Sequence, residues 1–196
     1  MRRTTIAVAA LAIATPIATA AAVRWIERDA AAPLADAVPL PARDLDDATI
    51  VAIFDAANTA DIETGRLAVE RGHSKEVRDF GAMLVRDHEA VRQMGRDLAA
   101  RLGVTPTPPA DGSGAAAHAA AIASLRTKSG AEFDHAFLRH EVEFHRGVID
   151  AVETTLLPAI RNAELKALVE KVAPAFRAHM LAADHLDRQL AGASGK

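Results

Sequence analysis

Four stretches of this chain repeat apolar residues at every third or fourth position, the period of an α-helix with one buried face. The first runs from about Asp46 to Arg71 and ends at Gly72. The second starts after Ser74, whose hydroxyl suits an N-cap because it accepts an unpaired helix N–H, and ends near Leu102 and Gly103. The third runs from about Ala131 to Leu157, with Pro158 expected to stop it, and the fourth from about Asn162 to Leu190.

The connections set the topology. His73 and the Pro158 turn leave little chain between neighbours, so the first and second helices pair antiparallel, and so do the third and fourth. The middle connection, Gly103 to Gly130, is long; it opens with Pro106, Pro108, Pro109 and Gly112, and Ala115 to Leu125 is expected as a short extra helix. The pattern predicts an all-α fold: a ferritin-like four-helix bundle of two antiparallel hairpins joined by a long crossover, spanning residues 45–191.

The chain before the bundle reads differently. Arg2 and Arg3 precede an apolar run from Ile6 to Val23 that ends in small residues, Ala18-Thr19-Ala20, as at a signal-peptidase site. Residues 1–22 are therefore expected to be a secretory signal peptide, with an uncleaved N-terminal anchor as the rival reading. Pro33, Pro39 and Pro41 mark residues 23–44 as a flexible tether, and residues 192–196 are expected to be a disordered tail. The expected location is the periplasm or cell envelope, with an envelope protein or the membrane as partner; the oligomeric state is left open.

The inward faces carry the chemistry. On a wheel of 100° per residue, Asp134, Glu141 and His145 stand at i, i+7 and i+11 in the centre of the third helix's apolar stripe. A solvated face does not explain them, and an unpaired buried charge costs several kcal/mol, so each needs a partner or a metal. Asp61 lies within the arc of the first helix and Glu63 at its edge. Asp87 and His88 flank the stripe of the second, and His179 lies inside that of the fourth, beyond Pro174. Glu141 and His179 are each 19 residues from Ile160, which puts them level across their hairpin.

Composition narrows the chemistry. A formal charge of −3 excludes a strongly cationic nucleic-acid binder, and the absence of cysteine excludes disulfides, thiolate metal sites and thiol catalysis. There is no phosphate loop and no nucleophile elbow. Imidazoles and carboxylates on facing helices are how bundle cores bind first-row metals. The metal reading makes Asp61, His88, Glu141, His145 and His179 the ligands of iron, manganese, zinc or copper. Asp87, Asp134 and Glu63 would then be outer partners that orient them. The rival is a metal-free polar network in which the acids hold the imidazoles charged and fix helix register. The paired Glu-x-x-His of di-iron bundles is not supported: Glu70 to His73 runs into a turn, and Glu132 and His135 lie off the stripe. His73, His118, His135, His140 and His185 are read as surface or connection residues.

The segments Asp61-Ile-Glu-Thr-Gly65-Arg-Leu67-Ala68, Phe80-Gly-Ala-Met83-Leu-Val-Arg-Asp87-His88, Gly130-Ala-Glu-Phe133-Asp134 and Pro174-Ala-Phe-Arg-Ala-His179 together resemble an exported ferritin-like family catalogued as a domain of unknown function, DUF4142. The resemblance covers about Asp46 to Leu190 and implies the fold and export to the periplasm or outer membrane; it implies no activity. The chain departs from the family pattern at Asp61, where Glu is expected, and at Phe137, where Tyr is expected. The leading functional expectation is a non-enzymatic metal-handling or envelope stress protein with no catalytic residues. The alternatives are a structural or interaction module with a metal-free polar core, and a metal-dependent oxidase.

Overall fold

The computed structural model describes residues 45–110 and 112–193. The expected signal peptide and tether lie outside the described residues, as does the end of the expected tail. Those described are helical, with no strand among them. Helix α1 spans Asp47–Arg71, capped by Asp46, whose carboxylate accepts from the Thr49 N–H at 2.7 Å. Helix α2 spans Lys75–Leu102; Ser74 caps it as expected, and Gly103 closes it at φ 66, in the left-handed region that favours glycine. The crossover carries helix α3, Ser113–Arg126, followed by helix α4, Gly130–Ala151.

Pro158 does not end the third periodic stretch where expected. Helix α4 widens into a π-helical turn, Val152–Leu156, which leads into a last short turn, α5, Leu157–Ala159. Pro158 sits at the start of that turn, where a missing N–H costs nothing. The fourth long helix, α6, spans Ala163–Ala193, so the first residues of the expected tail are helical, and it carries Pro174 inside it. Helix α1 packs along α2 and α4 along α6; α2 also meets α6, α1 meets α4, and α3 touches both α1 and α4.

Helices α1 and α2 approach closely at two glycines. A Cβ on Gly81 would stand 2.7 Å from the Gly65 carbonyl oxygen, and one on Gly65 would stand 2.8 Å from that of Gly81. The core is two apolar clusters. One gathers Ile50, Phe54, Leu98, Leu156, Leu165 and Phe176, and the other Leu67, Phe80, Leu84, Phe133, Phe137 and Leu138. Each long helix runs from one cluster to the other, and between them each contributes buried polar residues: Asn58, Asp61 and Thr64 from α1, His88 from α2, Glu141 and His145 from α4, His179 from α6.

Two carboxylates tie the hairpins together. Asp134 of α4 accepts from the backbone N–H groups of His73 and Ser74, both at 2.7 Å, in the turn between α1 and α2. Asp47 of α1 accepts from those of Arg161 and Asn162, both at 2.9 Å, in the turn before α6. Each hairpin thus caps the turn of the other, satisfying N–H groups that a helix start leaves unpaired.

Candidate metal centre

The buried polar layer is built from hydrogen bonds that fix which ring nitrogen carries each proton. Asn58 donates its amide to the Phe54 carbonyl at 2.8 Å, which turns its oxygen toward His88 Nδ1 at 2.9 Å. His88 therefore donates from Nδ1 and keeps a lone pair on Nε2. His145 donates from Nδ1 to the Glu141 carbonyl at 2.9 Å, leaving Nε2 buried with no hydrogen-bond partner. His179 Nε2 faces Asp87 Oδ2 at 3.3 Å, and a proton there leaves the lone pair on Nδ1, which is 3.2 Å from His88 Nε2.

With these outer bonds made, three neutral imidazoles aim lone pairs at one another. Either His179 gives up its outer partner and donates across to His88, or a cation fills the space. Phe176 stacks on the His88 ring at 5.7 Å and holds its plane.

The acids of the layer are worse served. Asp61 Oδ1 and both oxygens of Glu141 are buried with no hydrogen-bond partner. Asp61 reaches only 3.5 Å from His88 Nδ1 and 3.8 Å from His145 Nε2, and Glu141 Oε2 lies 3.5 Å from His145 Nδ1. Burial raises the Asp61 carboxyl well above its usual range, and the neighbouring Glu141 adds to it. Burial lifts Glu141 to about 7 against a smaller opposing effect of Thr64 and Asp61.

Burial works on the imidazoles in the other direction. It pushes His88 down to about 2, helped by His145 and His179. It pushes His145 down to about 4, against the hydrogen bond to the Glu141 carbonyl, which favours the charged ring. It lowers His179 as well, partly offset by Asp87. Neutral imidazoles are what a metal requires and what a network of acid-charged histidines does not provide.

All five expected ligands meet in this layer. One atom each of His88, His145 and His179 lie within 4.8 Å of one another, and so do one atom each of Asp61, Glu141 and His145. The outer residues divide. Asp87, at the rim, touches His179 as expected. Asp134 does not reach any imidazole, because both its oxygens are taken by the turn between α1 and α2. Glu63 is exposed and faces His118 at 2.7 Å, because two residues along a helix from Asp61 is a turn of about 200° away from it. Asn58, which sequence reasoning missed, shares the face of Asp61 at three residues' distance and sets the tautomer of His88. His135 is occupied with Asp187 at 2.6 Å, away from the layer.

A family model, Domain of unknown function (DUF4142), matches residues 30–186. The chain belongs to that family. A solved structure described as a DUF305 fragment from Deinococcus radiodurans is similar to this DUF4142 chain at TM-score 0.64 and 16% identity, covering 77% of this chain and 98% of that one. At that identity the likeness shows a shared helical fold. No curated protein matches the chain. Among the described residues, no helix of this DUF4142 protein is long and apolar enough to cross a membrane.

Proposed function

We propose that this DUF4142 protein is an exported ferritin-like four-helix bundle that holds a divalent transition-metal ion in its polar layer, as a metal-handling or envelope stress protein and not as an enzyme. One observation carries the reading. Two groups that share His145, one of three imidazoles and one with Asp61 and Glu141, bring lone pairs and unpartnered carboxyl oxygens together in a water-poor interior, where each is costly alone. His88, His145 and His179 would supply neutral nitrogen ligands, and Asp61 and Glu141, once the ion displaces their protons, would supply two negative charges that balance a dication. Imidazole and carboxylate without sulfur suit iron, manganese, zinc or copper(II).

The bound ion would cross-link α1, α2, α4 and α6 and offset the cost of burying the charged forms of Asp61 and Glu141. Asn58 and Asp87 hold the rings of His88 and His179 with their free nitrogens inward, as outer partners of metal ligands do. The ligand side chains are closed off from solvent, which supports retaining an ion over turning over a substrate; His88, His145 and Glu141 are at most 1% exposed. The basic and apolar start of the sequence supports export.

Elemental analysis of protein purified from its native envelope tests the reading. It should carry near-stoichiometric iron, manganese, zinc or copper, and His145→Ala should lose it. In metal-free protein, adding the ion at a hundred times its Kd should raise stability by about 2.7 kcal/mol. Metal-free material whose melting does not respond to any of these ions would overturn it and leave a polar core that only sets helix register.

A further inference from the structure

The ligands of the inner centre are shut inside the bundle, so an ion needs a way to reach them. Asp61, Glu141 and His145 find their ion-pair and hydrogen-bond partners among buried groups. His88 does the same, with Asn58, Asp61 and His179. Among the described residues, His179 alone of the five has such a partner at the surface. Its Nε2 faces Asp87 Oδ2 at 3.3 Å, and the opposite nitrogen of the same ring, Nδ1, lies 3.2 Å from His88 Nε2. One imidazole therefore stands between a rim carboxylate, 35% exposed, and the buried ring of His88.

The surroundings of that imidazole leave it displaceable. Asp87 Oδ1 pairs with Arg86 at 3.0 Å, but Arg86 is 70% exposed, and a surface pair of this kind is weak. On its less buried side His179 is flanked along α6 by Ala175, Ala178 and Ala182, whose side chains are too short to cover a ring. Pro174 has no N–H to give the Glu170 carbonyl, which removes one helical bond from the turn leading to His179.

We infer that Asp87 and His179 form the port through which a hydrated divalent cation enters the inner centre, with Asp87 receiving it and the His179 ring swinging aside to admit it. The port rests on the metal reading of the inner centre given above. Asp87 serves twice. Its charge at the rim draws the cation in and displaces the weak pair with Arg86. As the carboxylate turns to the cation it lets go of the His179 N–H, and the ring is free to rotate. When the ring returns, its N–H is again held by Asp87 and Nδ1 points inward as a ligand. A negative rim admits an aqua cation and repels anionic complexes of the same metal.

Zinc uptake by the full metal-free chain, followed by stopped flow with a chromophoric zinc chelator, tests this. Wild-type uptake should slow as salt rises, because the attraction of Asp87 is screened. Asp87→Asn keeps an oxygen for the His179 N–H and loses the charge; it should slow uptake about tenfold and flatten the salt dependence. Arg86→Gln removes the competing cation and should speed uptake about twofold. His179→Ala removes the door and should speed uptake while loosening retention. If that variant fails to fold, Asp87→Asn and Arg86→Gln, both at the rim, still decide. A merely orienting Asp87 would leave uptake and its salt dependence at wild-type values, and that result would overturn the port with the inner centre still standing. Loss of zinc binding from Asp87→Asn would also overturn it, by making Asp87 a resident ligand. Zinc binds imidazole more tightly than manganese or iron(II) does, so a wild type that takes up no zinc would overturn the inner centre and the port together.

Discussion

Asp134 and Glu141 stand two turns apart on the same buried stripe of α4, and they meet opposite fates. Asp134 is 2% exposed and has both oxygens filled by the N–H groups of His73 and Ser74. Glu141 is fully buried and has neither oxygen filled. The same contrast separates the ends of the bundle from its middle. At the ends, a carboxylate meets a turn whose N–H groups have no helix partner, and each need answers the other. In the middle, acid meets acid and lone pairs meet lone pairs. A buried acid is therefore a clasp where backbone donors converge on it, and a candidate ligand where none do.

The contrast can be broken by mutation, and the largest effect is expected at the clasp. Asp134→Ala takes a buried acceptor away from the N–H groups of His73 and Ser74, and should cost about 3 kcal/mol in chemical denaturation. Its refolded protein should still bind metal in the inner centre, measured by elemental analysis. Loss of metal with little change in stability would reverse the assignment of Asp134.

Glu141→Gln should act with the opposite sign in metal-free protein. The folded carboxyl titrates at about 7 against 4.5 for an ordinary one, so the unfolded chain releases its proton first as the pH rises. Wild-type stability attributable to Glu141 is therefore lost between pH 4.5 and 7, by about 3 kcal/mol. His88 and His145 oppose this below pH 6.5, because their lowered values make the unfolded state take up protons first. Subtracting the pH–stability curve of Glu141→Gln from that of the wild type removes the histidine contribution and should leave a falling slope. A flat difference would show that Glu141 already has a partner.

Gly81→Ala presses a Cβ against the Gly65 backbone and should cost about 2 kcal/mol, read from the denaturant midpoint, with metal stoichiometry unchanged. The smallest effect is expected at the second clasp. Asp47 is half-buried, so water can replace part of what it gives, and Asp47→Ala should cost about 1 kcal/mol. A cost as large as that of Asp134→Ala would show that the two clasps are equivalent despite their different burial.

Much of this could be read from residue order. The end of α1 and both ends of α2 followed from Gly72, Ser74 and Gly103, because capping depends on the chemistry of single residues. The placement of Asp61, His88, Glu141, His145 and His179 on inward faces followed from helical period alone. Other features were not legible. The π-turn at Val152–Leu156 has no marker as plain as a proline, and Pro158 was a misleading one, since the chain starts a fresh turn there. Asn58 was passed over because an amide on a buried face does not announce which ring it will orient. Asp134 was placed near the centre by angle, and angle says nothing of what stands opposite; Glu63, at the edge of its arc, turns to His118 instead.

Residue order alone established the amphipathic helices and the face on which each acid and imidazole lies, because side-chain direction along a helix is a local property of the backbone. Which of those groups would meet was left to the packing of one hairpin on the other. That level is set by contacts between residues far apart in the chain, such as Asp134 with His73 and Asp47 with Arg161. It brings Glu141 to Asp61, and Asp134 to a pair of waiting donors, a difference no periodicity contains.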